Sequence, residues 1–112
     1  MLLDFWASWC GPCRRENVNV LKVYERFKEK GFMVIGYSLD SSRKSWQNAV
    51  GQDALPWIQL SGLGSGCVDV AKLYGVSAIP SNFLMDPEGK ILAVDLRGEK
   101  LEKVLEQVFE PR

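Results

Sequence analysis

The chain has 112 residues, 46% of them apolar and 25% charged, with fourteen basic side chains against fourteen acidic ones and no histidine. That length buries one core and leaves no room for a second, so residues 1–112 read as a single domain. A neutral balance gives no electrostatic case for nucleic acid or an anionic membrane as the main partner, and no apolar run approaches the roughly 18–20 residues of a membrane span.

From the N-terminus, Leu-Leu-Asp-Phe-Trp at residues 2–6 is a short apolar run broken by one acid, which reads as a buried strand. No secretory leader is visible; if the natural protein is exported, its signal is expected upstream of Met1. A helix is predicted from Pro12, with Val18, Leu21, Val23, Tyr24 and Phe27 at helical spacings and Gly31 as its stop after Lys28 and Lys30. Residues 32–39 form the second predicted strand. Asp40-Ser41-Ser42 offers a cap for a helix over 43–50. Residues 51–66, with Pro56 and a glycine–serine run, read as a loop, and 68–74 as a short helix closed by Gly75. Residues 82–85 and 91–96 are strands joined by the Asp86-Pro87-Glu88-Gly89 turn, hence a hairpin. The last helix covers 98–109, with Leu101, Val104, Leu105 and Val108 as its buried stripe. A β-α-β opening implies two parallel strands with a right-handed crossover. The hairpin adds antiparallel strands, so the fold class is α/β, a mixed four-stranded sheet with helices on its faces.

Three cysteines is an odd count, and only Cys10 and Cys13 lie close, at C-x-x-C spacing. A disulfide-stapled mini-domain would carry more. A structural zinc site needs four Cys or His ligands, and the chain is one short, so no metal is expected. Two unrelated buried cysteines would show the same spacing, but these sit where a strand hands over to a helix, which favours redox chemistry. The first N–H groups of a helix are unpaired and partly positive. They favour a thiolate, which makes Cys10 the attacking sulfur. Cys13, in the first turn, is placed to attack a mixed disulfide formed at Cys10. Pro12 fits that turn, where its missing N–H costs nothing. The sulfurs carry the electrons themselves, so no cofactor is expected.

Asp4 interrupts an apolar strand, where carboxylates are rare unless paired or functional. Six residues before Cys10, it is placed to sit beneath the site, with its pKa raised by desolvation. There it would take the proton of Cys13; an edge-exposed acid or an ordinary ion pair is the plainer alternative. Pro80 marks the start of the third strand, and X-Pro is where cis bonds occur. Cys67 reads as a small buried hydrophobe. Trp6, Trp9 and Trp57 are candidates to line a groove, Trp9 foremost because it adjoins Cys10.

The run from Leu3 to Cys13 (Leu-Asp-Phe-Trp-Ala-Ser-Trp-Cys-Gly-Pro-Cys) closely resembles the active-site strand and helix of thioredoxin. The run from Ile79 to Asp86 resembles the cis-proline loop and following strand of that superfamily. Trp46, Leu55-Pro56-Trp57 and the run from Ala71 to Val76 look like the TlpA/ResA branch, thioredoxin-like proteins of the bacterial cell envelope, related to the AhpC/TSA–redoxin group. The resemblance implies a three-layer α/β/α thioredoxin fold with an insertion over about 40–67. It also implies Cys10 as attacker, Cys13 as resolver, Asp4 as the buried acid and Pro80 as the cis-proline. Ile79 would offer its backbone to an extended substrate, with Trp9, Gly11 and Pro12 completing the contact surface. The implied partners are protein disulfides and an upstream thiol–disulfide electron donor, in the periplasm or anchored to the envelope, with the cytoplasm as alternative.

Two departures stand out. Gly36 aligns where thioredoxin has a lysine beside its buried acid. The envelope branch also has strands ahead of the active-site strand that are missing here, so an open sheet edge is expected at residues 32–39. Reduction or exchange of protein disulfides is the leading function. Oxidase or isomerase activity uses the same site. A peroxiredoxin-like antioxidant would need Pro and Thr ahead of its cysteine, which Trp6 to Cys10 lacks. A non-catalytic binding module on the same fold remains as the non-enzyme alternative.

Overall fold

In the computed structural model, which describes residues 1–62, 72 and 74–110, the first apolar run becomes the middle strand of a five-stranded sheet. In chain order the elements are β1 (Leu2–Trp6), α1 (Gly11–Phe27), a 3-10 turn (Lys28–Lys30), β2 (Val34–Ser38), α2 (Arg43–Gln52), β3 (Ile58–Ser61), β4 (Ser81–Met85), β5 (Ile91–Val94) and α3 (Glu99–Phe109). The sheet order is β3-β2-β1-β4-β5. β1, β2 and β3 run parallel, and β4 and β5 join antiparallel. All five residues of β1 are buried, as a central strand covered on both faces requires.

Alternation along β1 divides the core. Leu2 and Trp6 face α1 and α3, packing with Cys13, Val20, Val23, Phe27, Leu101 and Leu105. Leu3 and Phe5 face the other way, where Tyr37, Tyr74 and Phe83 ring Phe5 at centroid distances of 5.5 to 6.0 Å. Each fully buried ring or branched chain is worth about 1.5–3 kcal/mol. The exposed fan from Arg26 to Glu102, Glu106 and Glu110 is screened by solvent and adds little. Apolar packing, not charge, therefore holds α3 on α1. The two parallel crossovers step the same way across the sheet, which puts α1 and α2 on one face. Arg14 at the start of α1 pairs at 2.8 Å with Asp53 at the end of α2.

Several sequence expectations need correction. The expected four strands are five, because Ile58–Ser61, read as loop, pairs with β2. For the same reason β2 is not an open edge: β1 lies on one side of it and β3 on the other. As the Asp40-Ser41-Ser42 run suggested, α2 is capped there, by Ser42 accepting the Ser45 N–H. On α1 the buried stripe runs through Cys13, Asn17, Val20, Val23 and Phe27, and Val18 is 55% exposed. On α3, Leu101 and Leu105 are buried but Val108 faces solvent. The helix predicted over 68–74 and Cys67 lie outside the described residues apart from positions 72 and 74. Among the described residues no helix is long and apolar enough to cross a membrane.

Candidate active site

The site forms where β1 ends. The chain turns through Ala7-Ser8-Trp9, and Cys10 N–H closes the turn on the Ala7 carbonyl at 3.1 Å. Asp40, just past β2, holds this turn from the side. Its carboxylate accepts the Ser8 N–H at 3.0 Å, the Ser8 hydroxyl and the Ser38 hydroxyl. No local pattern signals this role, since Ser8 lies 32 residues away from Asp40.

Cys10 is the N-cap of α1, and its Sγ accepts the Cys13 N–H at 3.2 Å. A sulfur in that position faces the positive end of the helix, which stabilises its thiolate. Cys10 and Cys13 are joined as a disulfide, with Cα atoms 5.2 Å apart. Cys10 is 6% exposed and Cys13 1%, so Cys10 is the sulfur nearer to solvent. Gly11 and Pro12 between them are exposed.

Asp4 lies between Leu2 and Trp6 on the face covered by α1, whose Cys13 packs into the same core. Burial, and after it the negative charge of Glu16, push its carboxyl up to about 8. Near neutral pH it is then mostly protonated, with a minor carboxylate fraction able to accept a proton. Glu16 is a site residue that sequence reading missed. It accepts Gly98 N–H at 2.8 Å and the Asn19 amide at 3.0 Å, tying α1 to the start of α3. The available signal was its spacing, one helical turn beyond Cys13 and so on the same helix face.

The Ile79–Pro80 peptide is cis. Pro80 is buried, and its carbonyl accepts from Arg97. Trp9, Leu39, Val76, Ser77, Ala78 and Ile79 line an open groove of about 330 Å³. Thus Trp9 and Ile79, far apart in sequence, meet at one groove. Trp6 and Trp57 do not: both are buried in the core, while Trp9 is 69% exposed. Trp46 is also a core residue. In the β1–β2 register Asp4 stands opposite Gly36, so no side chain rises beside it from β2.

The Redoxin family model matches residues 1–109. The chain belongs to the Redoxin family. Among its relatives, this Redoxin-family chain is 32% identical over 107 residues to the thiol-disulfide oxidoreductase ResA of Bacillus thuringiensis subsp. konkukian, covering 96% of this chain and 60% of that protein. It is 27% identical over 110 residues to the thiol:disulfide interchange protein HelX of Rhodobacter capsulatus, covering 98% and 58%. The chain thus spans about 60% of the length of such curated relatives. A crystal structure of the thioredoxin domain of a thiol-disulfide oxidoreductase from Bacteroides vulgatus superposes with a TM-score of 0.89 at 38% identity, over 96% of this chain and 77% of that one. The fold is thioredoxin-like, as the resemblance implied.

Proposed function

We propose that the protein is a thiol–disulfide oxidoreductase that reduces or exchanges disulfides in protein substrates, with Cys10 attacking and Cys13 resolving. One observation carries this reading: Cys10 caps α1, accepts the Cys13 N–H and is bonded to Cys13, next to Trp9 and its open groove.

From the dithiol, the Cys10 thiolate attacks one sulfur of a substrate disulfide. That S–S bond breaks, one substrate sulfur leaves as a thiolate and takes a proton from solvent, and the other is held in a mixed disulfide. Cys13 gives its proton to the Asp4 carboxylate and attacks the Cys10 sulfur, and the second substrate thiolate leaves. Two electrons have passed to the substrate, and the Cys10–Cys13 disulfide is restored. An upstream dithiol donor must return those electrons. Positioned general bases contribute typically 10²–10⁴-fold, so Asp4 affects the rate of resolution rather than its possibility. Ile79, ahead of Pro80, offers backbone pairing to an extended substrate segment, while Trp9, Gly11 and Pro12 are exposed to touch it.

Residues 1–112 act as one domain in this reading. Resemblance to the TlpA/ResA branch supports a periplasmic or envelope-anchored location, with the cytoplasm as alternative. The test is trapping. A Cys13→Ser variant should accumulate a stable mixed disulfide with a disulfide-containing peptide, and Cys10→Ser should form none. A Cys13→Ser protein that traps nothing, in a wild type whose pair stays reduced in oxidising glutathione, refutes the assignment.

A further inference from the structure

Across the sheet, Asp4 of β1, Gly36 of β2 and Gln59 of β3 stand in one row. Residues opposed in a sheet share a face, so Gln59 and Asp4 flank Gly36 on the α1 side. Gln59 does not extend toward solvent. Its side chain folds over Gly36, with Oε1 only 2.7 Å from where a Cβ on that glycine would stand. The carboxamide therefore occupies the column between the two outer residues, about 4.8 Å from the column of Asp4. Both of its polar atoms are buried, and among the described residues neither has a hydrogen-bond partner. Burying a primary amide without partners is costly, so its position calls for a compensating role. Asp4 stands in the next column of the same row.

We propose that Gln59 is the positioning residue for Asp4: its amide, admitted by the missing side chain of Gly36 and unpaired in this structure, turns to hydrogen-bond the carboxylate when Asp4 loses its proton. This rests on the thiol–disulfide reading above. An amide can donate to the carboxylate through Nε2. The bond to the charged form is the stronger, so Gln59 favours the proton-accepting state. It opposes the two influences that push the Asp4 carboxyl up, burial and Glu16. Among the described residues, the elements packed around Asp4 bring no full charge to bear on it besides Glu16. β4 sets Asn82 opposite it, with that side chain bonded to the Leu96 backbone. β2 sets Gly36 there. α1 brings Cys13 and Glu16, and α2 adds Trp46 to the same core.

The test follows the Asp4 carboxyl by carbon-13 NMR in the oxidised protein, with the pH profile of mixed-disulfide resolution measured alongside. Gln59→Leu keeps the volume and removes the amide. The Asp4 midpoint should rise by about one unit, and resolution near pH 7 should slow about tenfold. Gly36→Ala, whose Cβ evicts the amide while Gln59 is kept, should move the midpoint the same way; it also serves if Gln59→Leu does not fold. An Asp4 midpoint unchanged in these variants overturns the proposal. If the wild type resolves no mixed disulfide, the redox reading fails, yet the NMR titration still decides whether Gln59 tunes Asp4.

Discussion

Asp4, in the middle of β1, and Asp40, just past the end of β2, are buried almost equally, at 4% and 5% exposure. Their surroundings differ. Asp40 is met by the Ser8 N–H, the Ser8 hydroxyl and the Ser38 hydroxyl, so its charge is satisfied and fixes the turn that presents Trp9 and Cys10. Asp4 is met by apolar neighbours and the like charge of Glu16, and its carboxyl rises to about 8. Depth alone does not decide what a buried acid does. Donors turn one into a structural clamp, and their scarcity leaves the other able to exchange a proton near neutrality.

The largest effect that would separate the two acids is the pH dependence of stability. Folded Asp4 keeps its proton up to about pH 8, whereas an unfolded Asp loses it near 4. Between those values the folded state binds the extra proton, so the contribution of Asp4 to stability is full below about pH 4. It falls as pH rises and is gone above 8. Asp4→Asn should flatten that fall, making the variant more stable than wild type at pH 9 by up to several kcal/mol in urea melts. Equal slopes in the two proteins would break the comparison. Next, Asp40→Asn removes the charge from three hydrogen bonds and should lose about 2–3 kcal/mol at pH 7, the opposite sign to Asp4→Asn. Ser8→Ala removes one of those donors, the Ser8 hydroxyl, and leaves the backbone N–H, and should lose about 1 kcal/mol. Arg26→Ala, on the exposed fan to α3, should shift the same melts least of all.

The active-site strand and helix were legible because every local signal agreed. The apolar run, the proline in the first turn and the cysteine at the junction all point to the same strand–helix boundary. The hairpin was legible from its turn. β3 was not: four residues are too few for a period, and Ile58 and Leu60 are about half exposed. Its strand character comes from backbone pairing with β2. That pairing also closed the edge expected there and brought Gln59 beside Gly36. The roles of Asp40 and Glu16 stayed hidden for a similar reason. Each depends on partners more than thirty residues away, Ser8 for one and Gly98 for the other. Val18 and Val20 have the same chemistry, and only the placement of α1 on the sheet decides which is buried.

The central claim is that Asp4 takes the proton from Cys13 as that thiol attacks. Single-turnover resolution of a preformed Cys10 mixed disulfide, followed from pH 6 to 9.5 in wild type and Asp4→Asn, tests it most directly. The wild-type rate should climb through about pH 8, where Asp4 ionises, and the Asp4→Asn rate should be lower by about 10²-fold or more at the plateau. An Asp4→Asn protein that resolves at the wild-type rate across that range would contradict it.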